Sequence, residues 1–216
     1  MKKISSALIS VFDKNKIENI CHILSNNDIE IYSTGGTFDY IKQLGIKIKK
    51  VEDLTSYPSI LNGRVKTLHP KVFGGILKTK SKSDLDESKK YEIPDIDLVV
   101  VDLYPFENTV KNSNNHEDII EKIDIGGVSL IRAAAKNYEN VVCISSKDQY
   151  DELVSILNNG CKTDIEYRKK LAYEAFQKSS DYDCKIYSYL GSENININFE
   201  KDTIKELRYG ENPHQK

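Results

Sequence analysis

The run Asp97-Leu-Val-Val-Val-Asp-Leu103 holds the most apolar and β-branched segment of the chain, and it predicts a buried strand. Residues 16–27 carry Ile and Leu at helical spacing, which predicts a helix after the first strand. Further strands are predicted at 7–11, 29–32, 46–51 and 141–144. Strands that alternate with helices are typical of a mostly parallel sheet with helices on both faces. We therefore expect an α/β domain over residues 1–146.

Four further helices and one charged segment can be predicted from the sequence. Residues 38–44 and 128–136 are predicted helices within the α/β domain, and residues 78–90 are a mixed charge run typical of a solvated loop or helix face. Beyond position 146 the pattern turns helical, with predicted helices at 149–157 and 165–190. We therefore expect a helical extension at 147–191, followed by a polar linker that starts at 192.

Composition excludes several classes of function. The 216 residues carry a net charge of −2, and the pI is near 6.1, so the chain lacks the basic field that binding to nucleic acid requires. No apolar run approaches the roughly 18 residues that span a bilayer. The four cysteines are widely spaced without a C-x-x-C pair, which favours reduced thiols and no metal site. We expect a cytoplasmic protein without a nucleic-acid or membrane partner.

A glycine pair between a predicted strand and a predicted helix is the first candidate site. In Ser33-Thr34-Gly35-Gly36-Thr37 the glycines allow close approach of an anion, and the start of the helix leaves free N–H groups. This pattern fits a phosphate site. An ordinary capped turn explains it equally well at this point.

A cationic loop is the second candidate. Within Asn62-Gly-Arg-Val-Lys-Thr-Leu-His-Pro70, extended backbone directs Arg64 and Lys66 the same way. Arginine clamps phosphates bidentately, and lysine supplies a movable point charge. The alternative is a solvated surface loop, and His69 alone indicates nothing specific.

Two further segments carry polar groups near predicted strand or helix ends. Tyr104 follows the 97–103 strand, at the edge where parallel sheets bind ligands, and it fits either a hydrogen-bond donor or a core plug. Asp124 precedes Gly126 and Gly127 and fits either a helix cap or a functional carboxylate. Lys136 ends the predicted helix as a surface or a buried cation.

Taken together, these motifs resemble one family. The segments occur in the order seen in the bifunctional purine-biosynthesis enzyme, and the chain looks like its amino-terminal half, inosine monophosphate (IMP) cyclohydrolase. They are 10–14 (SVFDK), 33–37 (STGGT), 63–70 (GRVKTLHP), 103–106 (LYPF), 123–127 (IDIGG) and 132–137 (RAAAKN). The tail at 207–215 resembles the opening of the family's formyltransferase domain. The resemblance implies that 192–216 is a linker plus the start of a missing domain, and the tail favours a fragment of a longer protein.

The resemblance implies a methylglyoxal-synthase-like fold and a ring closure. In that reaction 5-formamidoimidazole-4-carboxamide ribotide loses water to become IMP. The implied partner is this small purine ribotide. No cofactor is implied, because 10-formyltetrahydrofolate serves only the missing formyltransferase domain. A homodimer is one of the assemblies that the resemblance leaves open.

Site residues also follow from the resemblance, position by position. Lys66, Tyr104, Asp124 and Lys136 are implied to be catalytic, with Lys66 stabilising the oxyanion and the other three moving protons. The implied substrate-binding residues are Ser10, Lys14, Ser33, Thr34, Gly35, Gly36, Arg64, Thr67, Asp102, Gly126 and Gly127.

Two positions depart from the family's pattern. Phe12 stands where the family has Ser, and Asp102 stands where it has Asn. An ionised Asp102 is an acceptor only, so we expect it to accept from the substrate carboxamide or to pair with Lys66 or Lys136. In that position neighbouring lysines would keep it ionised at neutral pH.

Two other functions compete with the cyclohydrolase. A non-catalytic phosphate-ligand sensing module keeps the glycine loop but has no need of Lys66, Tyr104, Asp124 and Lys136 together. A methylglyoxal-synthase-like lyase explains the glycine loop but neither the 64–70 segment nor the helical extension.

Overall fold

A parallel sheet forms the centre of the computed structural model, which describes residues 1–191. A short antiparallel pair, β1 (Lys2–Lys3) and β7 (Lys162–Thr163), lies apart from it. Within the described residues the main sheet has the order β4-β3-β2-β5-β6. Its strands are β2 (Ser6–Val11), β3 (Glu30–Ser33), β4 (Lys49–Lys50), β5 (Leu98–Asp102) and β6 (Val142–Ile144). The predicted linker and domain start at 192–216 lie outside the described residues.

Helices connect these strands and continue beyond them. The first five are α1 (Ile17–Asn26), α2 (Gly35–Gln43), α3 (Val51–Thr55), α4 (Pro70–Leu77) and α5 (Lys82–Lys90). The others are α6 (Phe106–Asn112), α7 (His116–Glu121), α8 (Gly126–Lys136), α9 (Tyr150–Asn158) and α10 (Ile165–Leu190). Short 3-10 turns occupy Leu61–Gly63 and Lys147–Gln149.

Both faces of the sheet are buried under helices, as predicted for an α/β fold. One core joins β2 and β5 to the apolar stripes of α1 and α9, represented by Ile20 and Leu153. The other core joins the opposite face to α4, α8 and α10, represented by Ile76 and Leu130. Because both faces are covered, β5 is a continuous apolar run rather than an alternating one.

The predicted elements agree with the structure except at one strand. Residues 46–51 form only the two-residue β4, and Val51 already begins α3. Ile46 and Val51 are both buried, although most of this segment pairs with no strand. The alternation of apolar and polar residues was therefore not enough to predict a strand. Helix α2 begins at Gly35 rather than at 38, so the glycine pair lies inside its first turn.

The strand order places a crevice between β2 and β5. The chain runs from β2 outward to β3 and β4, and then returns to the other side of β2 as β5. At such a reversal the loops beyond the carboxyl ends of the two strands diverge and leave room for a ligand. Phe12, Asp102 and Tyr104 all lie at this edge.

Candidate active site

The glycine loop connects β3 to α2 and presents backbone N–H groups. Gly35 has φ +54°, in the left-handed region that favours glycine. The hydroxyls of the loop are used internally: Ser33 donates to the carbonyl of Ile9 (2.6 Å) and Thr34 donates to Glu52 (2.6 Å). A phosphate bound here would therefore be held by N–H groups at the start of α2 and by cations, rather than by the hydroxyls of Ser33 and Thr34.

Two lysines approach these glycines. A Cβ placed on Gly35 would lie 3.1 Å from Lys66 Nζ, and one placed on Gly36 would lie 3.9 Å from Lys14 Nζ. Lys14 also donates to the carbonyl of Phe12 (2.8 Å). The positive charges needed for a phosphate are thus at the glycine loop.

The cationic loop delivers Lys66 through a tight turn. Backbone hydrogen bonds pair Ile60 with Val65, and Gly63 has φ +84° at the tip. A Cβ on Gly63 would lie 3.1 Å from Lys66 Cε, so the lysine side chain packs directly on this glycine. Glycine at 63 is therefore needed both for the turn and for the course of Lys66.

Arg64 points to a different partner. Its guanidinium Nε and Nη2 donate to Glu121 at the end of α7, at 3.1 and 2.8 Å, and both side chains are about half exposed. Arg64 therefore does not touch the glycine loop in this arrangement. His69 has a structural role, because its Nδ1 accepts the N–H of Lys71 and caps α4.

Asp124 precedes α8 by two residues, and its carboxylate turns back to the start of that helix. Its Oδ1 accepts the N–H of Gly127 (2.6 Å), and a Cβ on Gly127 would lie only 2.4 Å from Oδ2. Gly127 is thus required for the carboxylate to approach the helix. Thr67 is buried, and its hydroxyl lies 3.2 Å from where a Cβ on Gly126 would stand.

Burial raises the pKa of Asp124, and this effect outweighs the hydrogen bond from Gly127 and the charge of Lys66, which lower the pKa. Asp102 adds a further raising effect on the pKa of Asp124. A carboxylate whose pKa is raised accepts a proton more readily near neutral pH, which suits a general base. Lys66 therefore influences Asp124 as well as lying against Gly35.

Tyr104 is partly exposed, and its ring contacts Phe12 and Lys122. The Phe12 ring lies 4.8 Å from the Tyr104 ring between centroids, and Lys122 Nζ lies 5.4 Å from the Tyr104 centroid. Tyr104 is 39% exposed, and within residues 1–191 no hydrogen bond of its hydroxyl is found. Ser10 lies half-buried in β2, opposite Val101.

Asp102 has two backbone partners and neither of the lysines named for it. Its two carboxylate oxygens accept the N–H groups of Phe12 (3.2 Å) and Asp13 (3.1 Å) instead of pairing with Lys66 or Lys136. Burial raises the pKa of Asp102, and this effect outweighs the two backbone hydrogen bonds and the charge of Lys147. Burial, rather than the charge of a lysine, therefore has the largest effect on the pKa of this carboxyl.

Lys136 lies away from the cluster. It is exposed in the last turn of α8, ten residues from Gly126, which is about 15 Å along a helix. The next residue, Asn137, donates to the carbonyls of Ile76 and Lys78 at the end of α4. The structure brings together Lys14, Gly35, Lys66 and Asp124. The role of Lys136 stays a prediction.

The sequence analysis did not select Tyr182, which the structure places against the Asp124 loop. The N–H of Asp124 donates to the Tyr182 hydroxyl (2.8 Å). Because 58 positions separate the two residues, no local sequence pattern predicts this contact. The only available sequence signal was the apolar face of the predicted 165–190 helix.

Two cavities flank the cluster. One of about 660 Å³ lies beside Lys14 and reaches His22 and Tyr40, and it is open to solvent. The other, about 320 Å³, lies at the ends of β2, β5 and β6 and is lined by Phe12, Asp102 and Lys147, among others. The first cavity is lined by Lys14 of the cluster, and the second is lined by another predicted binding residue, Asp102.

Residues 1–191 contain no group of three His, Cys, Asp or Glu side chains that could hold a metal ion. In the same part of the chain, no helix has both the length and the apolar character needed to cross a membrane. Cys21, Cys143 and Cys161 are buried free thiols, and Cys184 is an exposed one.

Comparison with known proteins gives two family matches. The MGS-like domain matches residues 16–129, and the AICARFT/IMPCHase bienzyme family matches residues 134–216. The first match covers β3, β4, β5 and the glycine loop, and the second covers the end of α8, β6 and the helical extension.

Similar proteins agree with these matches. The bifunctional purine biosynthesis protein PurH of Bacteroides thetaiotaomicron is 52% identical over 218 residues, a region that covers 100% of this chain and 43% of that protein. PurH of Clostridioides difficile is 45% identical, over 97% of this chain and 42% of that protein. The chain thus spans less than half the length of these relatives.

A solved structure extends the comparison to three dimensions. The crystal structure of ForH superposes with a TM-score of 0.76 at 34% sequence identity, and the match covers 87% of this chain and 100% of ForH. The methylglyoxal-synthase-like fold is confirmed. The chain therefore belongs to the MGS-like domain family, in the form that AICARFT/IMPCHase bienzymes contain.

Proposed function

We propose that this chain is an IMP cyclohydrolase, which closes the ring of 5-formamidoimidazole-4-carboxamide ribotide to form IMP. The observation that carries the proposal is the position of Lys66. Its ammonium lies against Gly35 of the glycine loop, and its charge acts on Asp124. One side chain thus joins an anion-binding loop to an acid–base group, as a phosphorylated substrate with a reacting ring requires.

The substrate's 5′-phosphate is assigned to the glycine loop. N–H groups of Gly35 and Gly36 and the ammonium of Lys14 supply the contacts. Arg64 joins them once it leaves Glu121, because an exposed ion pair is worth only about 0–1 kcal/mol. Ser33 and Thr34 shape this loop through their own hydrogen bonds.

The ring closure needs proton transfer and oxyanion stabilisation. The carboxamide nitrogen attacks the formyl carbon and loses a proton to Asp124, while Lys66 stabilises the developing oxyanion. The oxyanion then takes up the proton that Asp124 accepted and becomes a hydroxyl. This hydroxyl leaves as water with the proton of the former formamide nitrogen, as the C–O bond breaks and a C=N bond forms. Tyr104 donates to the departing hydroxyl. The part of Lys136 in proton transfer stays a prediction.

Both reacting groups belong to one molecule, so holding them in attack geometry supplies much of the rate. The closure is neither a redox step nor a transfer to a carrier, and we propose that it uses no metal or organic cofactor. The proposal includes a cytoplasmic location, the small ribotide as the partner, and a homodimer as an assembly to be tested by the mass in solution.

The two competing functions are not favoured. The AICARFT/IMPCHase match extends over the helical extension, which a methylglyoxal-synthase-like lyase does not explain. A sensing module has no need of an acid–base group beside its phosphate loop, yet Asp124 and Lys66 are placed there.

The test follows IMP formation from the formylated ribotide by the purified chain, with dihydroxyacetone phosphate as control substrate. We expect IMP from the first substrate and no turnover of the second. Asp124→Asn is expected to lower kcat roughly 10²-fold. Binding without turnover would favour the sensing module, and turnover of the triose phosphate would favour the lyase.

A further inference from the structure

Tyr182 brings a hydroxyl from the middle of α10 to the loop that carries Asp124. The side chain is 6% exposed, although its ring and hydroxyl come from the helical extension rather than from the α/β domain. The hydroxyl accepts the N–H of Asp124 (2.8 Å) and donates to the carbonyl of Lys122 (3.3 Å). It therefore bridges the two ends of the turn between α7 and α8.

These contacts fix Asp124 from both sides. Tyr182 holds the backbone N–H of Asp124, and the N–H of Gly127 holds its carboxylate at 2.6 Å. Rotation of the carboxylate breaks the bond from Gly127, and a shift of the Asp124 backbone breaks the bond to Tyr182. Both hydrogen bonds are partly buried, so breaking either one costs free energy.

The ring of Tyr182 contacts Phe106, the first residue of α6, just after Tyr104. It meets the Phe106 ring edge-on, with centroids 6.3 Å apart, and Phe106 follows Tyr104 by two residues. Phe106, Ile119 and Tyr182 form a small core of their own. One side chain of α10 thus packs on the Tyr104 loop and hydrogen-bonds the Asp124 loop.

We infer that Tyr182 is a positioning residue, which makes the helical extension part of the active site by holding Asp124 in place beside Lys66. The inference rests on the proposed function. Tyr182 lies outside the segment that matches the MGS-like domain and inside the segment that matches the bienzyme family. A role in positioning gives the extension a reason to accompany the α/β domain.

The test compares Tyr182→Phe with Tyr189→Phe in the full chain. Tyr182→Phe removes only the hydroxyl and keeps the ring in its core, so the variant is expected to fold. Tyr189 lies two turns further on the same helix, packs on the same Phe106 ring, and its hydroxyl contacts His116 at 2.9 Å instead of the Asp124 loop. Tyr189→Phe is therefore a matched control, because it also removes one tyrosine hydroxyl from α10.

Three quantities are measured: kcat and KM for the formylated ribotide, the hydrogen-exchange rate of the Asp124 amide by NMR, and Tm. For Tyr182→Phe we expect kcat to fall roughly 10-fold with KM within about 2-fold, since the phosphate contacts are untouched. We expect the Asp124 amide to exchange roughly 10-fold faster or more, because its acceptor is gone. Tyr189→Phe is expected to leave kcat and this amide unchanged.

Equal kcat in both variants, or an unchanged exchange rate at Asp124, would overturn the inference. A loss of Tm shared by both variants with wild-type kcat would show a purely structural role, which also overturns it. If the wild-type chain forms no IMP, the proposed function fails by itself. The Asp124 exchange rates then still decide whether Tyr182 holds that residue.

Discussion

The backbone N–H of Phe12 donates a hydrogen bond to Asp102, 3.2 Å away, so the two positions that depart from the family's motifs are in direct contact. Asp102 also accepts the N–H of Asp13, and together these bonds fix the end of β2. The Phe12 ring in turn lies against Tyr104. The two departures therefore act as one unit, which joins the backbone of β2 to a candidate catalytic ring.

Asp102→Asn tests the charge of this unit through stability. The pKa of Asp102 is raised in the folded chain, chiefly by burial, so the folded state keeps this proton to a higher pH than the unfolded state does. Stability from the protonated carboxyl is present below its ordinary pKa of 3.8 and is lost as the pH rises through the raised value. Asn does not titrate.

We therefore expect the free energy of unfolding of the wild type, relative to Asp102→Asn, to be greatest under acidic conditions and to decrease toward neutral pH. Urea unfolding of both proteins at several pH values measures this difference. Asp39→Asn, on the exposed face of α2, controls for the removal of a surface carboxylate. A difference that grows with pH would contradict the prediction.

Gly35→Ala tests the glycine loop. Alanine at φ +54° is strained by about 1–2 kcal/mol, and its Cβ would crowd Lys66 Nζ at 3.1 Å. Gly45→Ala is a matched control, because Gly45 has φ +73° but no neighbour within 4 Å of the added Cβ. We expect both variants to lose similar stability, whereas calorimetry shows weaker IMP binding only for Gly35→Ala. Equal IMP affinities would move the phosphate away from this loop.

Glu121→Gln tests whether Arg64 is held back from the ligand. The exposed Arg64–Glu121 pair competes with any phosphate for the guanidinium. Since such pairs are worth about 0.2–1 kcal/mol, releasing Arg64 should tighten IMP binding by up to roughly 5-fold, and Arg64→Ala should weaken it. Glu117→Gln removes the same charge from α7 as a control. If the affinity is the same in Glu121→Gln and Glu117→Gln, Arg64 does not leave its partner to bind phosphate.

Lys66→Met tests the link between Lys66 and Asp124. The Lys66 ammonium lowers the pKa of Asp124, so its removal raises that pKa further, while Asp102, the Gly127 N–H and the Tyr182 hydroxyl stay in place. A general base works only when deprotonated. The acidic limb of the profile of kcat/KM against pH should therefore move to higher pH, together with a roughly 10²-fold loss of kcat. An acidic limb that stays in place would separate Lys66 from Asp124.

Local patterns in the sequence determined the framework. The apolar run at 98–102 reflects burial on both faces of the sheet, and the spacing of apolar residues in α1 and α10 reflects burial of one face of each helix. The glycine loop could be placed at the start of α2 for the same reason, because glycine pairs at strand–helix junctions are local features. The strand predicted at 46–51 was wrong over most of its length, because alternation indicates that Ile46 and Val51 are buried but not whether the backbone between them pairs with a strand.

Only the tertiary structure decided which polar groups meet. It turned Arg64 toward Glu121, occupied both oxygens of Asp102 with backbone N–H groups, and left Lys136 at the far end of α8. It also brought Tyr182 to Asp124 across 58 positions. Each of these contacts depends on the direction of a side chain from one element toward another, and no periodicity within a single element encodes that direction. The sequence thus determined where the site's loops lie, and packing between elements decided what each side chain in them does.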